Sequence, residues 1–138
     1  MGIQEVKQDL FNRAFTGLHG QGFEQSMITG SVCGYLSKDG LKRCAVGHLL
    51  SSKEEAIFFD DIGAVSCIIK KSDEERGGDP RILERFFDAI GVPAQYRGSP
   101  VLDLLQELQN AHDDGGPPEK MKARLIRTAQ NHGLEVPA

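Results

Sequence analysis

The sequence contains no tryptophan and only two tyrosines, so leucine, isoleucine, valine and seven phenylalanines must supply most of any hydrophobic core. It also lacks an apolar run approaching the roughly 20 residues needed to cross a bilayer. The N-terminal stretch, residues 1–9, carries acidic side chains and has no apolar centre of the kind found in secretion signals. These absences predict a cytoplasmic protein that does not enter a membrane.

Cysteine is also scarce in this chain. Cys33, Cys44 and Cys67 are an odd number of thiols at irregular spacing, which favours reduced cysteines over a disulfide framework. The charge gives no direct nucleic-acid signal, because 16 basic residues are scattered among 20 acidic ones and the net charge is only −4. Charge therefore leaves the class of partner open.

The length and composition are those of an ordinary globular protein. A chain of 138 residues is long enough to bury roughly two-thirds of its unfolded surface. Its residues are 39% hydrophobic and 26% charged, which is not typical of disorder. No repeat or low-complexity tract divides the chain, so we predict a single globular domain over residues 1–138.

Apolar spacing and end signals predict about five helices. A capping-box pattern, two Asp/Ser-Pro starts and several glycines mark where helices begin and end. Residues 65–69 are apolar enough to be buried in either a helix or a strand. The predicted helices cover residues 3–18, then Ser52 to Ile62, Asp79-Pro80 to Gly91, Ser99-Pro100 to Asp113, and Met121 to Gly133.

One β-hairpin is predicted around Asp39-Gly40, because an Asp-Gly pair between short mixed runs is typical of a tight turn. A two-residue turn would place Tyr35 opposite Cys44, with Cys33 diagonal to Cys44. A three-residue loop would shift that pairing and separate the two thiols. The predicted fold class is therefore α+β, mainly α: a compact bundle of about five helices with one β-hairpin.

Directly after the predicted hairpin, Cys44 and His48 place a thiol and an imidazole four residues apart. If Cys44 begins a helix, the two side chains share one face, and the positive helix end lowers the pKa of the thiol. Zinc prefers sulfur and nitrogen ligands in a tetrahedral site. One alternative is a structural zinc site of Cys33, Cys44, His48 and His112, or with Cys67 as the fourth ligand.

A second alternative is a cysteine hydrolase. Cys44 would be the attacking thiolate, His112 its base, and Asp113 or Asn110 the group that orients the base. A cysteine at a helix start with a distant histidine is the arrangement that such enzymes use.

We favour a third interpretation, in which small thiols fill a tight corner of the core. A structural zinc site usually shows two tight ligand pairs, whereas only one pair is present, and the residues around Cys44 match no hydrolase signature. This interpretation assigns no catalytic residue, no metal and no cofactor.

The acidic residues after His112 have two interpretations. Asp113 and Asp114 stand at the predicted C-terminus of a helix, where negative charge is electrostatically unfavourable. They either belong to a solvated turn, which we favour, or form a functional acidic patch with Asp60 and Asp61.

Three motifs resemble a group of small tailed-phage and prophage proteins of no known activity, over about residues 30 to 130. In that group a second cysteine often stands at the position of His48, where this chain departs from the pattern. The motifs are Cys33-x-Tyr35 with the Asp39-Gly40 turn, Cys44-Ala45-Val46-Gly47-x-Leu49-Leu50, and Leu105-x-x-Leu108-Gln109-x-Ala111-His112-Asp113.

The resemblance implies a phage accessory protein in the cytoplasm of a host cell. Such proteins commonly act by binding, which is an analogy at the level of the family. We expect a non-enzymatic protein that binds and inhibits a host factor, in the first place as an antagonist of a host defence. Such an antagonist would either resemble an anti-CRISPR protein or sequester a signalling molecule. The expected partner is a host protein or a small signalling molecule. The alternative is a Cys/His-site protein, either the structural zinc binder or the cysteine hydrolase.

Overall fold

The computed structural model describes residues 2–29 and 32–137, and six α-helices form the framework of this part of the chain. Three short 3₁₀ turns lie between them, at Gly47–Leu49, Glu74–Arg76 and Ala94–Tyr96. None of the described helices is long and apolar enough to cross a membrane. The helices are α1 (Ile3–Gly20), α2 (Lys53–Ile62), α3 (Val65–Ser72), α4 (Arg81–Ile90), α5 (Ser99–Asp113) and α6 (Pro118–Asn131).

The helix ends follow the local signals in the sequence. Ser52 Oγ accepts a hydrogen bond from the Glu55 N–H at 3.2 Å, which caps α2. Just before α4, Asp79 Oδ1 accepts a hydrogen bond from the N–H of Arg81, the first residue of that helix, at 3.0 Å. Gly91 ends α4 in the left-handed conformation, with φ of 78°. The apolar residues 65–69, which fitted either a helix or a strand, lie in α3.

One hydrophobic cluster joins the helices. Helix α5 lies at its centre and packs against α1, α3 and α6. Aromatic rings fill the region between α2 and α4, where the Phe59 and Phe86 centroids are 5.3 Å apart in an edge-to-face arrangement. Each fully buried ring contributes about 1.5–3 kcal/mol relative to an exposed one. The core therefore fixes the position of α5, whose C-terminus carries His112 and Asp113.

The predicted α+β fold class is wrong, because the described residues form an all-helical structure with six helices and no strand or sheet. The chain turns at Asp39-Gly40, but there is no β-hairpin. Among the described residues of this region the pairing is limited to two isolated antiparallel bridges, one between Met27 and Cys33 and one between Leu36 and Arg43.

The hairpin does not form because side chains from other elements bind the backbone of this segment. The Tyr35 N–H donates to Asp60 Oδ1 at 2.7 Å, so it is not available to Cys44, its partner in a hairpin with a two-residue turn. The Arg43 N–H points out of such a ladder and donates to Gln21 Oε1 at 3.0 Å, which ties the segment to the end of α1. Residues 24–43, of which the structure describes 24–29 and 32–43, therefore run between α1 and the first 3₁₀ turn without regular secondary structure. We call them the 24–43 segment.

The helix expected to begin at Cys44 is only the 3₁₀ turn Gly47–Leu49. The His48 N–H does donate to the Cys44 carbonyl at 3.1 Å, as in one helical turn. The next residue, Leu50, is extended, with φ of −71° and ψ of 138°. One turn this short provides no substantial helix dipole to lower the pKa of a thiol.

Candidate functional site

Three chemically capable side chains meet where the 24–43 segment contacts the C-terminus of α5. One ligand atom from each of Cys33, His112 and Asp113 lies within 4.8 Å of the other two. The structure thus brings together Cys33 and His112, two of the predicted zinc ligands. It also brings together His112 and Asp113, the predicted base of the hydrolase alternative and the group predicted to orient it. Asn110, the other candidate for orienting the base, borders a groove between α5 and α6 instead.

Both ring nitrogens of the fully buried His112 are engaged. The Ser26 backbone N–H donates to Nε2 at 2.8 Å, so Nε2 is an acceptor and the ring proton resides on Nδ1. Nδ1–H then donates to Asp113 Oδ1 at 2.7 Å. The neutral Nδ1–H tautomer is therefore fixed by a backbone amide on one side and a carboxylate on the other.

The Cys33 thiol is half-buried beside this pair, 3.6 Å from the sulfur of Met27. Burial, and then the charge and hydrogen bond of Asp113, raise its pKa to about 11. The Gln25 side-chain amide is directed at the same sulfur at 3.7 Å, a long contact that does not offset this effect. Cys33 is therefore a protonated thiol at neutral pH and not an activated nucleophile.

Cys44 occupies a separate and more enclosed position. It is only 2% exposed, and its sulfur accepts hydrogen bonds from the backbone N–H groups of Gly47, at 3.2 Å, and Val46. Burial nevertheless dominates and raises the pKa of the thiol far above its usual value. The environment thus favours a small, protonated core residue over the thiolate that a hydrolase or a metal would need.

His48 is held by a different set of contacts. Its Nε2–H donates to Gln21 Oε1 at 2.8 Å, and its ring lies so close to α1 that a side chain at Gly17 would collide with it. Burial, followed by the positive charge of Arg43 and the proximity of His112, lowers its pKa to about 4. The remaining ligand candidate, Cys67, lies in α3 next to Gly63, apart from the three-residue cluster.

The cluster does not fit a zinc ion. A zinc-bound histidine normally donates its second ring N–H to an acceptor, whereas the second nitrogen of His112 accepts from Ser26. If a metal bound Nδ1 of neutral His112, the ring proton would move to Nε2 and point at the Ser26 N–H. The alternative is loss of that proton, which would leave an imidazolate. Metal binding would also require a thiol with a pKa of about 11 to lose its proton.

We therefore predict that zinc does not stabilise the folded protein. A ligand that binds only the folded state raises the melting temperature by mass action. Melting curves recorded with excess zinc, with a chelator and with neither should agree within about 1 °C. Stoichiometric zinc in the purified protein, or a melting temperature several degrees lower with the chelator, would restore the metal site.

Acid is expected to destabilise the protein through His48. Its folded-state pKa of about 4 lies below the value near 6.5 of an unfolded chain, so the neutral ring contributes stability above pH 6.5. That contribution is lost as the pH falls from 6.5 toward 4. Because the ring is only half-buried, we discount for solvent screening and expect a loss of about 1–2 kcal/mol.

The variant His48→Gln isolates this effect, since glutamine keeps an amide donor for Gln21 but does not titrate. Urea unfolding at a series of pH values measures the free energy of unfolding for both proteins. The difference between them should change between pH 6.5 and 4, with the wild type losing more stability. Parallel curves over this range would show that His48 is not the titrating group.

A cavity of about 210 Å³ adjoins the cluster and brings together two acids that are distant in sequence. Asp60 of α2 is half-buried in its wall, where burial raises the pKa of the carboxyl group. Asp113 lines the same cavity. Of the acidic patch considered from the sequence, Asp60 and Asp113 therefore share one cavity, whereas Asp61 and Asp114 are not among its lining residues.

Amide side chains that the sequence analysis did not single out organise the site. Gln109 is buried in α5, and its Oε1 accepts from the Val65 N–H at 2.8 Å at the start of α3. A polar residue on the apolar stripe of α5 was the available signal. Gln25 donates to the carbonyls of His112 and Asp113 at 3.2 Å each and so caps α5.

Comparison of the chain with protein-family models, curated proteins and solved structures finds no match.

Proposed function

We propose that this chain is a non-enzymatic accessory protein of a phage or prophage that binds and inhibits a host protein, in the first place one that serves a host defence. The observation that carries the proposal is the 24–43 segment. It has no regular secondary structure, yet the helices hold it in place while it exposes apolar side chains. Irregular segments positioned by a rigid scaffold commonly carry binding function.

The segment presents two exposed apolar side chains. Leu41 is 80% exposed at the Asp39-Gly40 turn, and Val32 is 49% exposed further back in the segment. An exposed leucine alone is ordinary, but two large apolar residues within one fixed, irregular segment are a suitable anchor for a partner. The same segment also borders an open groove lined by Gln25, Met27, Ser37, Lys38, Asp39 and Lys42.

Side-chain hydrogen bonds hold both ends of the segment. The Gln21 amide donates to the carbonyls of Glu24 and Arg43, at 2.8 Å and 2.7 Å, and thereby joins the two ends. Ser26 is bound to His112, as described above. A segment that is ordered before binding loses less conformational entropy when a partner docks.

The chemistry of the thiols supports binding over catalysis. Cys44 is enclosed and protonated, and Cys33 has a pKa of about 11. Both nitrogens of His112 already have partners, so this imidazole is not free to accept a proton from either thiol. In this proposal the cluster of Cys33, His112 and Asp113 supports the segment.

Site-specific photo-crosslinking tests the proposal. A benzophenone amino acid placed at Leu41 should capture a specific host protein from bacterial lysate. The matched control is Ile57, an apolar residue of α2 that is 59% exposed and lies outside the segment. We expect the adduct from position 41 and not from position 57.

Competition establishes specificity. Excess wild-type protein should abolish the adduct, whereas excess Leu41→Asp should not. Because Leu41 is exposed, this substitution should change the free energy of unfolding by no more than about 0.5 kcal/mol. The captured protein should then lose activity when the wild-type chain is added. Equal capture from positions 41 and 57, or no competition by the wild type, would exclude this surface.

A further inference from the structure

The cavity beside the 24–43 segment has two acidic side chains in its wall and, among the residues that the structure describes, no basic one. Asp60 from α2 and Asp113 from α5 line it, together with Tyr35, Gln109 and the two thiols Cys33 and Cys44. We propose that this cavity binds the guanidinium group of an arginine side chain presented by the partner protein. That the arginine belongs to a partner protein rests on the proposed function, whereas the binding of a guanidinium group by the cavity does not.

Neutral donors alone satisfy the two carboxylates. Asp60 accepts from the backbone N–H groups of Tyr35 and Leu36, and Asp113 accepts from the His112 ring. Among the described residues that line the cavity there is no lysine, arginine or histidine. Asp60 is half-buried, whereas Asp113 is more exposed, with 37% of its side chain accessible. A partly buried carboxylate is normally paired with a cation, so these two without one leave an excess of negative charge along the cavity.

Neighbouring groups respond to this negative charge. Burial is the first cause of the raised pKa values of Cys33 and Tyr35, and repulsion from the carboxylates is a further one: Asp113 acts on Cys33, and both Asp60 and Asp113 act on Tyr35. The Cys44 thiol is affected by the same two acids after burial. A cation in the cavity would reverse this repulsion, so its arrival can be detected at the Cys33 thiol.

Shape and chemistry favour a guanidinium over other cations. The two carboxylates that line the cavity belong to different helices, and a planar fork of five N–H donors can bond to more than one acceptor group at once. The cavity is too small for a drug-sized ligand but suits the end of one side chain. Val32, half-exposed at its mouth, and Ile28 give an apolar surface for the methylene groups of arginine.

The experiment uses the full chain and three blocked amino acids as probes. They are N-acetylarginine methylamide, the lysine equivalent, and the citrulline equivalent, which has nearly the shape of arginine without its charge. Binding is followed by NMR shifts of the Gln109 side-chain amide and by the alkylation rate of Cys33. We expect saturable binding of the arginine probe in the millimolar range, with weaker binding of lysine and none of citrulline. The apparent pKa of Cys33 should fall when the arginine probe binds.

Charge-neutral variants locate the site. Asp60→Asn and Asp113→Asn each keep an acceptor oxygen for the existing hydrogen bonds, and each should weaken arginine binding about tenfold. Asp61→Asn removes the same charge from α2 outside the cavity and should leave binding unchanged. Citrulline binding, an equal effect of Asp61→Asn, or no arginine binding would overturn the inference.

The source of the cation is tested separately. If the cavity receives an arginine of the partner, Asp60→Asn and Asp113→Asn should also weaken capture by the position-41 crosslinker, while Asp61→Asn should not. Capture that is unaffected by all three variants would leave the proposed function intact and reject the arginine site. Agmatine and spermidine binding more than tenfold tighter than the blocked arginine would instead identify a small-molecule amine site and overturn the protein source.

Discussion

Replacing Gly47 with alanine is expected to destabilise the protein by at least about 3 kcal/mol. A Cβ atom at this position would stand 2.9 Å from the carbonyl carbon of Tyr35 and closer still to its oxygen. The obstacle is backbone, which cannot rotate away as a long side chain could. Tyr35 is itself fixed, because its hydroxyl donates to the Gly63 carbonyl and its N–H to Asp60. Relief of the clash would therefore move the 24–43 segment away from the 3₁₀ turn.

Gly20→Ala is the matched control for this prediction. Gly20 ends α1, and no atom lies within 4 Å of a Cβ built there, so alanine should be neutral or slightly stabilising. Urea unfolding of the two variants and the wild type gives the comparison. A Gly47→Ala protein with wild-type stability would mean that the contact between Gly47 and Tyr35 is looser than the structure shows.

Most of the helical framework could be predicted because its signals are local. Ser52, Pro80 and Gly91 mark helix ends through their own backbone geometry and side chains, whatever the rest of the chain does. The periodic apolar residues of α1 and α5 likewise follow from the 3.6-residue helical repeat. These features need no knowledge of tertiary contacts, and the structure shows helices where they predicted them.

The absence of a β-hairpin could not be predicted in this way, because the contacts that prevent it join residues distant in sequence. Asp39-Gly40 does turn the chain, and the bridge between Leu36 and Arg43 has the register of a two-residue turn. What prevents a ladder is the competition from Asp60 for the Tyr35 N–H. Nothing in the local pattern reveals that a carboxylate 25 residues away binds Tyr35.

The candidate site was predictable in part for the same reason. His112, Asp113 and Cys33 could be listed from residue type alone, since few side chains offer such chemistry. Their pairing could not, because it depends on the approach of the 24–43 segment to the end of α5. The ring tautomer of His112, which bears on the metal and nucleophile alternatives, follows from one backbone amide, that of Ser26. Main-chain donors of this kind leave no trace in the sequence.

Replacing His112 with alanine is expected to cost about 3–4 kcal/mol, since it removes a fully buried ring and leaves the Ser26 N–H without an acceptor. The damage should be concentrated in the 24–43 segment, because His112 is the contact between Ser26 and α5. Hydrogen exchange at the Ser26 amide should accelerate in folded His112→Ala protein under conditions where amides in the middle of α5 remain protected. Capture by the position-41 crosslinker should weaken in step, because the segment would then be less ordered before binding.

The control for this variant is His19→Ala. His19 is exposed near the end of α1, and its ring meets that of Phe23 at nearly a right angle, so its loss should cost no more than about 0.5 kcal/mol. In the wild type, NMR shifts of the His112 ring nitrogens should identify Nε2 as the unprotonated one, as its hydrogen bond from Ser26 requires. A proton found on Nε2, or unchanged protection at Ser26 in His112→Ala, would show that this hydrogen bond does not hold the segment. The zinc alternative would then regain its physical basis, because an Nε2–H tautomer leaves Nδ1 free to bind a metal beside Cys33 and Asp113.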